Sequence, residues 1–279
     1  MSGAGPDRRA ESRSAAGGAG AERWAARDSA VGGLRLDGRV AVVTGATRGV
    51  GLAVARKLCA SGAQVVVNWA HSAEDAERAL AELAPLKGGA VAVRADVTRE
   101  EELRELVGRV RADHGGLDVF VHNAGSWHPG PAVGANPAHV RADIAAGVEP
   151  LLVAAPLLAE AMAGRPGRIV AVSSSGARSV IPGYTGQGLA KAAVESLVRY
   201  LAVELAGRGI TVNAVSTAKV DKGPATPNPQ AAAILAARTP AGRLTRPEDI
   251  ADTVALLCTD EAAWIHGQTL TADGGLSLL

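Results

Sequence analysis

The segment Thr44-Gly45-Ala46-Thr47-Arg48-Gly49-Val50-Gly51 follows a short β-branched run and leads straight into an apolar pattern of helical period. That arrangement suits a phosphate. Glycine lets the backbone turn tightly and approach the anion, and the helix that follows offers unpaired N–H groups and a positive dipole end. A glycine-rich loop alone is a weak sign, but here strand, loop, helix and second strand follow in the order and lengths of a dinucleotide-binding unit. Gly45, Thr47, Arg48, Gly49, Val50 and Gly51 are therefore the first candidate cofactor residues. At the end of the second strand, where an acid would bind a ribose 2′-hydroxyl, stands Asn68, followed by Trp69 and His71. No carboxylate repels a 2′-phosphate there, and Arg48 can meet one with a charge-assisted contact. NADPH is the expected cofactor. His71 and Ser72 read equally well as further donors or as a solvated loop.

The elements that must position these residues are legible from Arg39 onward, where short β-branched runs alternate with amphipathic stretches. Val40–Thr44, Gln64–Asn68, Ala90–Arg94, Leu117–His122, Gly167–Ser173 and Ile210–Val215 read as strands, with Thr269–Ala272 as a seventh. Their nearly continuous apolar character requires burial on both faces. The fold expected is α/β: a Rossmann-type doubly wound, seven-stranded parallel sheet in a single domain, residues 36–279. Thr98-Arg-Glu-Glu101 has the form of a capping box, and Arg246-Pro247-Glu248-Asp249 places proline and acids at another helix start. Thr217–Gln230, rich in Pro, Lys and small residues without a period, reads as a loop able to close over a substrate.

Composition narrows the function. Residues 1–35 carry almost no aliphatic side chain before Val31 and read as a disordered tail without a signal or transit sequence. A formal net charge of +1 and no basic run interleaved with aromatics argue against nucleic acid as a partner. No stretch approaches 18 uninterrupted apolar residues, so no membrane span is expected. Cys59 and Cys258 lack metal-type spacing and read as buried thiols, which suits a reducing cytoplasm.

The motifs together resemble those of the short-chain dehydrogenase/reductase family, over Leu36 to Leu279. They are the Thr44–Gly51 loop, Asp96-Val97, His122-Asn123-Ala124-Gly125, Val172-Ser173-Ser174, Lys191, Val212-Asn213-Ala214-Val215 and Asp273-Gly274-Gly275. The resemblance implies that Asp96 and Val97 hold the adenine, and that Asn123, Ala124 and Gly125 line the cofactor cleft. It also implies that the carboxyl-terminal segment helps build a homotetramer or homodimer. Family chemistry uses a serine on the substrate oxygen, a tyrosine proton donor, and a lysine that holds the nicotinamide ribose and lowers the tyrosine pKa. Ser174 and Lys191 match. The position four before the lysine, usually tyrosine, is Gln187, and an amide is no general acid.

Tyr184, seven residues before Lys191 and so on roughly the same helical face, is the natural replacement, unless it is a packing residue at the helix start. Tyr200 reads as core. The Tyr-(six residues)-Lys pattern, Arg199–Leu205, Thr239–Arg243 and Gly267-Gln-Thr are similar to the short-chain-type enoyl-acyl-carrier-protein reductases. Other departures cluster on the nicotinamide side: Gly147 for an assisting asparagine, Thr217-Ala218 for proline-glycine, and Lys222 for a cofactor-contacting threonine. Two functions follow. One is NADPH-dependent reduction of an enoyl thioester or of a ketone or enone of a polyketide-like substrate, small or carrier-protein-bound, by Ser174, Tyr184 and Lys191. The other is a redox-neutral or non-catalytic protein that keeps NADP(H).

Overall fold

A computed structural model of the chain describes residues 34–279; the expected tail up to residue 33 lies outside them. The sheet is built from β1 (Val40–Val43), β2 (Gln64–Trp69), β3 (Ala90–Arg94), β4 (Val119–His122), β5 (Arg168–Val172), β6 (Thr211–Ser216) and β7 (Thr269–Thr271). Their order is β3-β2-β1-β4-β5-β6-β7, every pair parallel. All seven expected strands are present, with ends displaced by a residue or two; the fourth begins at Val119, not Leu117. The connecting helices are α1 (Gly49–Ala60), α2 (Ala73–Leu83), α3 (Glu100–His114), α4 (Pro137–Ala161), α5 (Thr185–Leu205), α6 (Pro229–Arg238) and α7 (Pro247–Leu257).

Alternation along each strand sends neighbouring side chains to opposite faces, which produces two apolar layers. Val42, Val66, Phe120 and Ile169 pack with Leu103, Leu158 and Val198 of α3, α4 and α5. Val43, Val67 and Val121 pack with Val54 and Leu58 of α1 and with Ile250 and Val254 of α7. Because β1 lies between β2 and β4, the chain winds away from it in both directions, and a crevice opens at the carboxyl ends of the central strands. The glycine-rich loop after β1, the Asn123 loop after β4 and the Ser174 loop after β5 all meet there.

Several expectations change. Thr98 does not cap α3: the helix starts at Glu100, and the Thr98 hydroxyl donates to Asp96 Oδ1 at 2.7 Å. At α7 the Asp249 carboxylate does accept the Arg246 N–H at 2.8 Å. The loop read as Thr217–Gln230 ends at Asn228, whose side chain caps α6 from Pro229. Tyr200 is not core but 67% exposed. The buried stripe of α5 passes through Val194, Val198, Leu201, Ala202 and Leu205, and a step of one residue turns about 100° around a helix, so Tyr200 faces outward. By length and composition α4 is long and apolar enough to cross a membrane, but half of that stretch is buried within the fold. Cys59 and Cys258 are buried free thiols, and burial pushes the Cys258 thiol up to about 12.

Candidate active site

Two adjoining cavities, of about 530 and 580 Å³, occupy the crevice and share Asn123, Gly125 and Ser126 in their walls. Thr47, Arg48, His71, Asp96, Val97 and Ala124 border the first. Its floor is the glycine loop, in which Gly45 and Gly49 adopt φ of 60° and 56°, a region that L side chains disfavour. A Cβ on Gly51 would lie 2.3 Å from the Gly45 carbonyl oxygen and 2.6 Å from Asn123 Nδ2, so only glycine fits there. Gly49, Val50 and Gly51 form the first turn of α1 directly after the loop; Gly49 is exposed and Val50 packs against the core. Asn123 clamps that loop, its Nδ2 donating to the carbonyls of Thr44 (3.0 Å) and Gly45 (3.1 Å). The Thr44 hydroxyl oxygen accepts the N–H groups of Asn123 and Ala124. This is a cradle in which backbone approaches closely and a side chain cannot intrude, and it fits a dinucleotide.

Asn68 borders this cavity at the end of β2. It is 2% exposed, and its side chain donates to the carbonyls of Val93 and Ala95 and accepts from the Gly45 N–H. Its amide thereby joins β2, β3 and the loop at the edge of the cleft that Asn68 also lines. The strand's period of two puts Trp69 on the opposite side, and Trp69, like His71, borders the cleft. Trp69 carries no charge, so the absence of an acid at this end stands. Ser72 caps α2 by accepting the Asp75 N–H at 3.1 Å. Arg48 is exposed and makes no side-chain cap bond, which leaves its guanidinium free to turn toward an anion. Burial alone would raise the Asp96 carboxyl, yet hydrogen bonds from the Thr98 hydroxyl and N–H, with His71 and Arg99 nearby, hold it below its ordinary value.

The second cavity contains Ser174, Tyr184, Gln187 and Lys191. Tyr184 immediately precedes α5, and with Gln187 and Lys191 it forms a stripe of spacing three and four along one face. The Tyr184 ring lies against Gly176, where a Cβ would meet ring carbons at 2.6 Å. Lys191 Nζ donates to the Val172 carbonyl at 2.7 Å, and burial lowers its pKa to about 8. Two of its three N–H donors remain for other partners. The Ser174 oxygen accepts the Gly176 N–H at 3.2 Å, which leaves its proton to donate into the cavity. Gln187 is 7% exposed and its amide has no hydrogen-bond partner among the described residues. The four groups can thus offer an oxygen atom several donors, one of them an acid.

Residues 45–277 match the family model described as Enoyl-(Acyl carrier protein) reductase. The chain belongs to the short-chain dehydrogenase/reductase family. This short-chain dehydrogenase/reductase is an oxidoreductase with a nicotinamide-binding fold. It is 38% identical over 247 residues to 1-cyclohexenylcarbonyl-CoA reductase of Streptomyces collinus, covering 86% of this chain and 88% of that one. It is 35% identical over 243 residues to a 3-oxoacyl-[acyl-carrier-protein] reductase of Synechocystis sp., covering 86% and 98%. A short-chain dehydrogenase of Burkholderia cenocepacia J2315, crystallised with NADP, superposes with a TM-score of 0.80 at 33% identity, covering 87% of this chain and 99% of that one.

Three features of this short-chain dehydrogenase/reductase escape sequence reading because they join distant residues. The imidazole of His122, fully buried, donates from Nε2 to the Gly147 carbonyl at 3.0 Å; burial, aided by the nearby Lys191 charge, lowers its pKa to about 4 and keeps it neutral. Gly147 itself faces α5, and a Cβ there would stand 3.4 Å from that of Ala190, an ordinary contact, so the helix packing does not demand glycine. The wholly buried Asp143 carboxylate accepts from the Ser126 hydroxyl (2.8 Å), the His128 N–H (3.2 Å) and His128 Nδ1 (2.8 Å). That cluster ties the loop after β4 to α4 beside the cavity. Lys219, finally, lines the cavity without having been singled out as a site residue.

Proposed function

We propose that this chain reduces the activated double bond of an enoyl thioester with NADPH, using Ser174, Tyr184 and Lys191. The observation that carries the reading is the Tyr184–Gln187–Lys191 stripe facing one cavity beside a dinucleotide cradle. A nicotinamide held in the adjoining cleft would supply hydride chemistry at the β-carbon of the substrate, and the electron pair of the double bond would then come to rest on the thioester oxygen. Donors aimed at that oxygen stabilise the charge as it develops. Ser174 has its proton available for this role. Lys191, held through Val172, is placed to bind the nicotinamide ribose with its remaining N–H donors. Tyr184 then supplies the proton that completes reduction at the α-carbon, leaving a phenolate for solvent to reprotonate. An assembly of two or four copies is supported by exposed apolar residues on α4 and α5, among them Leu152, Tyr200 and Val203.

The preference for NADPH rests on Arg48 and on the uncharged end of β2. Arg48→Ala is expected to raise the Kd for NADPH about tenfold or more, the scale of one lost charge-assisted contact, with little change for NADH. Titration of both cofactors checks it; equal losses would make Arg48 a loop residue only. The reaction itself is tested by following NADPH absorbance with an enoyl thioester and a matched ketone. Turnover of the enoyl thioester supports the proposal. Turnover of the ketone alone would assign the chain to carbonyl reduction, and NADPH binding without oxidation would leave the non-catalytic reading.

A further inference from the structure

The cavity that holds Tyr184 and Lys191 has an uneven charge. Three lysines line it, Lys191 at depth and Lys219 and Lys222 on the segment after β6, and among the described residues no carboxylate is part of the lining. In a chain whose formal charge is only +1, this is a local concentration of cations. The one acid of that segment, Asp221, is not part of the lining and is engaged within the turn: its Oδ1 accepts the Gly223 N–H (2.9 Å) and the Thr226 hydroxyl (3.0 Å). Neither Lys219 nor Lys222 has an ion-pair partner among the described residues.

The backbone between the two lysines is fixed, not free. Val220 bridges Thr245, and the Asp221 N–H donates to the Thr245 carbonyl at 2.7 Å. The Lys222 N–H donates to the Thr226 hydroxyl at 2.6 Å. Both ammonium groups are thereby carried at the wall of the cavity on an anchored turn. The phosphate cradle for the cofactor is elsewhere, in the adjoining cleft beyond Asn123, Gly125 and Ser126. Apolar side chains, Trp127, Ile181, Leu235 and Leu276, complete the cavity wall, and they suit an acyl chain.

We infer that Lys219 and Lys222 form an anion subsite for the phosphate of a phosphopantetheine handle, which enters while the acyl part reaches Tyr184. This deepens the thioester reading and rests on it. An ammonium is a point charge suited to phosphate oxygens, and apolar walls strengthen the attraction by lowering the local dielectric.

The test compares the wild type with Lys219→Gln/Lys222→Gln on three crotonyl thioesters: coenzyme A, 4′-phosphopantetheine and the uncharged N-acetylcysteamine. The expected result is a KM about tenfold or more higher for the phosphopantetheine and coenzyme A thioesters, with kcat and the N-acetylcysteamine reaction unchanged and the wild-type KM rising with salt. A loss for coenzyme A alone would overturn the assignment to the shared phosphate and point to the adenosine phosphates. An equal loss for all three thioesters, or a weaker Kd for NADPH, would overturn the subsite and return these lysines to the cofactor or the fold. Calorimetric binding of free 4′-phosphopantetheine to the NADP-saturated protein gives a readout without turnover. Weaker binding to the double variant supports the subsite even if the reduction proves to be of another kind, and equal binding to both proteins contradicts it.

Discussion

Tyr184→Phe is expected to lower kcat about 10²-fold or more on an enoyl thioester, the range for a lost general acid, while leaving the Kd for NADPH unchanged. The ring lies against Gly176, where an added Cβ would come within 2.6 Å of two ring carbons, and phenylalanine fills the same space, so the fold persists. Only the hydroxyl is lost, and Tyr184 carries the one phenol that lines the cavity. Gln187→Ala is expected to cost tenfold or less, because an amide can orient an oxygen but has no proton to give at neutral pH. Steady-state kinetics of the two variants side by side decides the matter. Full activity in Tyr184→Phe together with its loss in Gln187→Ala would transfer proton delivery to water, to Ser174 or to the substrate.

Lys191→Met is expected to move activity and stability in opposite directions. Turnover should fall at least 10²-fold and NADPH should bind more weakly, since in the proposed reaction the amine holds the ribose beside the phenol. The cofactor-free protein, however, should become more stable at pH 7. Burial lowers the Lys191 pKa from 10.5 to about 8, so below pH 8 the folded state bears the full cost of a buried charge, about 3 kcal/mol for a shift of that size. Methionine has similar bulk and removes that cost, less about 1 kcal/mol for the lost hydrogen bond to Val172. Between pH 8 and 10.5 the folded lysine is already neutral while the unfolded one is charged, so wild-type stability from this group rises and the advantage of methionine shrinks. Chemical denaturation at pH 7 and pH 9.5 measures both. A variant less stable than the wild type at pH 7 would show that the buried amine is a net support of the fold.

The strands and the phosphate loop were legible because their signals are local: a β-branched run, a glycine turn and a helix start sit within a dozen residues. What failed was a matter of facing. Side chains alternate along a strand and turn about 100° per residue along a helix, so which side is covered depends on neighbours that the sequence does not place. Tyr200 lies beside the buried Leu201, and only the position of α4 and the sheet decides which of them is covered. Gly147 and His122, 25 residues apart, and Asp143 and His128, 15 apart, form pairs that no spacing announces, because the loop between β4 and α4 brings them together. Gln187, read as a mere departure, is a largely buried residue that lines the cavity between Tyr184 and Lys191.

The central claim is that hydride passes from a nicotinamide to carbon in the cavity beside Tyr184. The most direct measurement uses NADPH deuterated at C4 of the nicotinamide with a crotonyl thioester, and reads the product by NMR. The expected product carries deuterium at the β-carbon and, in ordinary water, hydrogen at the α-carbon. Deuterium at a carbinol carbon, or no transfer to any substrate from a cofactor shown to be bound, would contradict it.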